Sequence, residues 1–172
     1  SDWALHNMTT IQILAEAGAA MALRPLTASQ RHHAKRAVVD WASALLPGAV
    51  EAPARAIECA LVDDLDHGRS RLTLGRLATA RAAALINGTA AHTVEVDDIY
   101  REAIYHPGAP TISAAWAAAQ DVGADGEAFL RAARYSTINN ESIRIDYRRG
   151  RTDVVSYQCV GVSRASDRHQ IE

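Results

Sequence analysis

Residues 82–133 read "AAALINGTAAHTVEVDDIYREAIYHPGAPTISAAWAAAQDVGADGEAFLRAA", and this stretch decides the fold. Most of it is alanine with larger apolar residues at helical spacing. From His92 to Pro110 two histidines and four carboxylates interrupt that pattern. The spacing predicts a long helix over 74–98, which carries "LGRLATARAAALINGTAAHTVEVDD", and a second helix that starts at Pro110 and ends at Gly123. Pro110 suits a first helical position, where a missing N–H costs nothing. Gly88 would let the long helix approach a neighbour closely, at about 1 kcal/mol of helix propensity.

Outward from there the chain keeps the same grammar. "TTIQILAEAGAAMAL" places Ile11, Leu14, Ala15, Ala19 and Ala22 on one face, with Thr9 or Thr10 as N-cap and Pro25 as the stop. "TASQRHHAKRAVVDWASALLPG" has Thr27 or Ser29 as its cap and a stripe of Ala34, Val38, Trp41 and Leu45. Pro47-Gly48 ends it. "APARAIECALVDD" reads as a further helix, and "DGEAFLRAARY" begins the last. Val, Ile and Thr rarely alternate with period 2, so residues 1–133 read as all-α. Within them "DDLDHGRSR" (Asp63 to Arg71) reads as a solvated loop and "RHHAKR" as an exposed basic helix face.

Composition narrows the functional classes. The chain has 172 residues, 48% hydrophobic and 22% charged, enough for one domain with a core. A formal charge of -2 gives no basic face for nucleic acid. Runs such as "AAWAAA" are far too short to span a bilayer, and no signal peptide is visible at the N-terminus. Cys59 and Cys159 form neither a disulfide framework nor a zinc motif, which points to the cytoplasm.

The chemistry lies between the two helices. On a helix that reaches Asp98, His92, Glu95 and Asp98 follow one another at i, i+3 and share a flank, while Asp97 points further round. His106 precedes the next helix start, whose unpaired N–H groups favour anions. An imidazole beside such a helix end and a group of carboxylates is an acid–base device for a substrate that bears carboxylates. Each residue also has a plain reading: a boundary histidine, a solvated helix end, or the turn chemistry of His106-Pro107-Gly108. The residues alone leave two further possibilities. One is an all-α magnesium-diphosphate enzyme of the isoprenoid-synthase type, with "DDIYRE" and Asp63, Asp64 and Asp66 as its acidic clusters. The other is a non-enzymatic helical interaction domain.

Taken together, Asn87-Gly88, His92, the acidic Glu95-Val96-Asp97-Asp98, the His106-Pro107-Gly108 turn and the alanine-rich helix after it closely resemble the MmgE/PrpD family. That family includes 2-methylcitrate dehydratase, cis-aconitate decarboxylase and iminodisuccinate epimerase. The resemblance spans residues 9–133. It implies a mainly α, multi-helix domain, homodimers, and cofactor-independent lyase or epimerase chemistry on small di- or tricarboxylates. It casts His106, Glu95, Asp97 and Asp98 as catalytic and His92 and Gly108 as substrate-binding, with no metal or other cofactor and with no nucleic-acid or membrane partner. Three features depart from the family pattern: Glu95 replaces an aspartate, Ile99 replaces a threonine, and "IYREAIY" changes the spacing.

Family members continue into an α/β lid domain that supplies catalytic lysines, whereas Lys35 is the single lysine here. Residues 134–172 hold one alanine, Ala165, and no sustained helical stripe, although "RTDVVSYQCVGV" would suit a short strand. They read as an atypical tail, frame-shifted or poorly ordered. The expectation is a helical domain that lacks the family's lid, in a truncated and weakly active or inactive chain.

Overall fold

The computed structural model describes residues 23–99 and 106–134, together with Thr9, Gln12, Ala15, Glu16, Ala19 and Ala20. Residues 135–172, including the strand expected in the tail, lie outside the described residues.

Gln12, Ala15, Glu16, Ala19 and Ala20 are helical. Thr9 caps them: the Gln12 N–H donates to Thr9 Oγ1, and Gln12 Oε1 accepts the Thr9 N–H at 2.8 Å. Helix α1 spans Ala28–Gly48 and opens with a second reciprocal box, between Thr27 and Gln30. Its expected stripe is real, since Ala34, Trp41 and Leu45 are buried and Val38 packs against them. Pro47 lies inside the last turn and the helix ends at Gly48, where the Pro47-Gly48 pair predicts its stop. Helix α2, Ala52–Ala60, carries a proline in its first turn and is followed by a 3₁₀ turn, Val62–Asp64.

The all-α expectation for residues 1–133 fails next. "LDHGRSR" is not a loop but strand β1, Leu65–Arg71, and it pairs antiparallel with β2, Leu77–Ala78. The register slips between Leu65 and Ser70, where Asp66 and Gly68 take left-handed φ of 60° and 76°. No side-chain alternation marks this strand. Side chains of neighbouring helices hold it instead. Ser70 Oγ–H donates to Ala117 O at 2.7 Å, and the Arg71 N–H donates to Gln120 Oε1.

The long helix expected over 74–98 is accordingly shorter. Helix α3 spans Ala80–Thr93, capped by the Thr79 hydroxyl. It is the central element, packed against α1, α2, both strands and helix α4, Gly108–Asp121. A last helix, α5, covers 126–134 and is capped by Asp125, whose carboxylate accepts the Ala128 N–H at 2.7 Å. Pro110 is the third residue of α4 rather than its first, which is still within the turn whose N–H groups have no helical partner.

Small residues set how closely these helices pack. Ala82, Ala83, Ile86, Ala90 and Ala91 of α3 and Ala109, Ile112, Ala115 and Ala117 of α4 are buried. The glycine that permits the closest approach is Gly48, not Gly88: a Cβ at Gly48 would lie 1.9 Å from Ala90 O, whereas one at Gly88 would meet nothing nearer than 3.5 Å. The core is completed by Trp41, Trp116 and Phe129, with successive ring centroids 6.3 and 5.1 Å apart. The buried Trp41 indole N–H donates to Ser113 Oγ at 2.8 Å, so its one polar group is satisfied.

Candidate acid–base site

The site is built where α3 ends and α4 begins. Two threonines loosen the end of α3 by turning their hydroxyls onto the preceding turn, Thr89 to Leu85 O and Thr93 to Thr89 O. After Thr93 the chain reverses at Glu95, which takes a left-handed φ of 51°. A non-glycine residue there carries strain of about 1–2 kcal/mol.

This reversal overturns the expected flank of His92, Glu95 and Asp98. Glu95 ends on the exposed outer side of the turn, and Asp97 is brought back beneath the helix end. The Asp97 side chain is 1% exposed, against 49% for His92 and 24% for His106. Its Oδ2 lies 3.1 Å from His92 Nδ1, and its Oδ1 lies 3.4 Å from His106 Nδ1. The two imidazole centroids are 4.7 Å apart. One buried carboxylate therefore faces the Nδ1 atoms of two histidines. His106 Nδ1 is shut off from solvent and makes no hydrogen bond of good geometry.

Asp98 does a different job. Its Oδ1 accepts the Gly108 N–H at 2.9 Å, which ties the chain after α3 to the start of α4. The helix start that the sequence offered to an anionic ligand thus already holds an anion from the chain itself. Burial, together with the neighbouring negative charges of Asp40 and Asp97, pushes the Asp98 carboxyl above its ordinary value despite the Gly108 N–H and the nearby His106. Gly108 is needed for this contact, because a Cβ there would lie 2.6 Å from Asp98 Oδ1. Asp40, on α1, is a contributor that sequence reading missed, since nothing in "VVDW" links it to residue 98.

The structure brings together His92, Asp97, His106, Asp98 and Gly108, and it leaves Glu95 apart. Asn87 anchors the neighbouring hairpin. It is buried, its amide donates to Arg71 O, and its Oδ1 accepts both the N–H and the hydroxyl of Thr73 at 3.1 Å. A cavity of about 60 Å³ lined by Ala49, Leu72, Ile86, Asn87 and Ala90 shares no residue with the histidine group and is far too small for a citrate-sized acid. Among the described residues no helix is long and apolar enough to cross a membrane.

Comparison with known proteins gives one finding. The family model for the MmgE/PrpD N-terminal domain matches residues 12–136, and the whole His92 to Gly108 segment falls within that span. Searches of curated proteins and of solved structures found no match. The match covers well over half of the sequence, and the chain belongs to the MmgE/PrpD family.

Proposed function

We propose that this domain carries the proton-transfer part of a cofactor-independent lyase acting on small di- or tricarboxylates. The observation that supports this reading is the shared carboxylate. Asp97 Oδ2 lies 3.1 Å from Nδ1 of His92 and Oδ1 lies 3.4 Å from Nδ1 of His106, and the negative charge of that carboxylate favours a proton on Nδ1, which leaves Nε2 as the base. His106 is the better candidate, being the less exposed of the two and adjacent to the α4 start. Its Nε2 takes a proton from the carbon beside a substrate carboxylate, and Asp97 stabilises the imidazolium that forms. The resulting carbanion then expels the β-hydroxyl, which takes the proton back from the His106 imidazolium and leaves as water, or it recovers a proton from solvent on the opposite face while the imidazolium releases its own. Loss of carbon dioxide instead calls for the histidine as proton donor.

In this assignment His92 is the second imidazole, at the mouth of the site. Asp98 and Gly108 hold the α4 start against the end of α3 rather than touch substrate, and Glu95 has no role in the transfer. Cationic partners for the substrate carboxylates come from outside residues 12–136, as family resemblance implies for the lid domain. The same reading places the protein in the cytoplasm as a homodimer. The magnesium-diphosphate reading gains nothing from the structure, since Asp64 and Asp66 are tied to Arg81 and Arg76.

The test is isotope exchange, which reports proton abstraction even where full turnover is slow. The full chain is incubated in deuterated water with citrate, cis-aconitate or 2-methylcitrate, and exchange at carbon is followed by NMR. We expect exchange with at least one acid, lowered about 10²- to 10⁴-fold by His106→Gln or Asp97→Asn and unchanged by Glu95→Gln. Exchange with none of them, or exchange indifferent to His106, overturns the reading.

A further inference from the structure

We propose that His92, Asp97 and His106 also form a binding site for a divalent transition ion of the zinc class, and that its occupancy switches off the base. Ion binding stands on geometry alone, and only the inhibitory half rests on the acid–base reading above.

Two imidazoles and one carboxylate are a donor set that suits zinc, cobalt, nickel or ferrous iron rather than magnesium or calcium. The spacing fits as well. A tetrahedral ion with bonds of about 2.0–2.1 Å sets its ligands about 3.3–3.4 Å apart. His92 Nδ1 lies 3.1 and 3.4 Å from the two Asp97 oxygens, and His106 Nδ1 lies 3.4 Å from Oδ1. One ligand atom from each of the three residues falls within 4.8 Å of the others, so the histidine–histidine edge alone has to close. The half-exposed His92 ring has room to swing for that.

A second observation points the same way. His106 Nδ1 is buried, aimed at a carboxylate and without a hydrogen bond, a condition that buried polar atoms rarely keep. An ion between the three groups would satisfy it. The surroundings favour positive charge too. His92 sits in the last turn of α3, at the negative end of the helix dipole, and Asp98 and Asp40 add negative charge nearby. Three protein ligands leave a fourth position open to water or to a carboxylate. An imidazole that gives its Nδ1 lone pair to a metal keeps its proton on Nε2, so the bound ion and the base exclude each other.

The full chain is titrated with Co²⁺, whose visible absorption reports tetrahedral coordination, and Zn²⁺ is then added to displace it. We expect one ion per chain, displaced by Zn²⁺ and not by Mg²⁺, with binding that weakens in acid as protons compete for the ligand atoms. His92→Gln alters a half-exposed residue and should leave the fold intact, which thermal melting verifies. It should weaken binding by at least about 100-fold, the upper end of what losing even an outer partner does, and Asp97→Asn should do the same. The double variant His32→Gln/His33→Gln removes an exposed histidine pair on α1 and should bind as the wild type does. The proposal is overturned if no tetrahedral band appears, if His92→Gln leaves affinity unchanged, or if the His32/His33 variant loses the ion. Zn²⁺ should also suppress the isotope exchange. A chain that shows no exchange at all still gives a complete answer in the Co²⁺ titration, so the two readings fail separately.

Discussion

The chain contains two short acidic runs that look alike as sequence, "DDLD" at 63–66 and "EVDD" at 95–98. In the first, arginine answers the charge at the surface. Asp64 accepts from the Thr79 hydroxyl at 3.0 Å and from Arg81 at 2.8 Å, and Asp66 accepts from Arg76 at 2.7 Å. These partners hold both carboxyls below their ordinary value. In the second run no arginine reaches Asp97 or Asp98 among the described residues. Asp97 has two imidazoles and Asp98 has a backbone N–H, and burial pushes Asp98 upward. The guanidinium-bound run is locked in one charge state and serves to pin a hairpin. The other run is answered by two imidazoles and a backbone N–H, with no guanidinium to fix it.

The sharpest way to break that comparison is to remove one carboxylate from each side. Asp97→Ala removes the buried carboxylate that faces both imidazoles and leaves His106 Nδ1 shut off from solvent with no acceptor nearby, and we expect it to cost about 1–3 kcal/mol in urea unfolding. Asp66→Asn removes an exposed partner of a half-exposed arginine and should be unresolvable in the same assay. Comparable losses would mean that burial does not separate the two runs. Gly108→Ala comes next. Its Cβ would push Asp98 off the α4 start, at about 1–3 kcal/mol, while Gly126→Ala, where a Cβ meets nothing, should be neutral or slightly stabilising. Glu95→Gly relieves the left-handed φ and should gain up to about 1 kcal/mol with isotope exchange retained. Loss of exchange in that variant would return Glu95 to the site.

Much of the helical framework was legible because its signals are local. Thr9, Thr27, the Trp41 stripe and the Gly123 stop all act within a turn or two of their own position. The hairpin was not legible. β1 has only Leu65 and Ser70 buried and no β-branched residue, and what holds it is Asn87, Ala117 and Gln120 from other elements. The one available clue was "TLG" before Arg76, where Gly75 supplies the positive φ of 96° that closes the turn. The site was half legible. Histidine and acid types marked the cluster, but which acid faces the histidines depended on where α3 stopped. A helix carried on to Asp98 selects Glu95. One that breaks at Thr93 with a left-handed Glu95 selects Asp97. That break comes from threonine back-bonding and β-branched crowding at 93–96, a weak signal beside the alanine periodicity that precedes it.

The finest test of the comparison is the sign of the pH dependence, because the two runs should tilt stability in opposite directions. Asp98 has a folded value raised above its ordinary 3.8, so the folded state holds the proton more tightly. Stability from this group is greatest below 3.8 and falls as pH rises through that value to the raised folded one, remaining low above it. Asp98→Asn keeps an oxygen for the Gly108 N–H and loses the titration. Measured against it, the wild type should be closest in stability at acid pH and relatively weaker at neutral pH. Asp64 has the opposite sign. Its folded value lies below the ordinary 3.8, so its contribution is fully present above that value and is lost as pH falls through the folded one. Against Asp64→Asn the wild type should therefore keep a constant margin from neutral pH down to the ordinary carboxyl range and lose it only below. Thermal melting of the three proteins across the acid range separates the cases. Parallel curves for the two variants would show that Asp98, like Asp64, is an ordinary paired surface acid, and the distinction between the two runs would collapse.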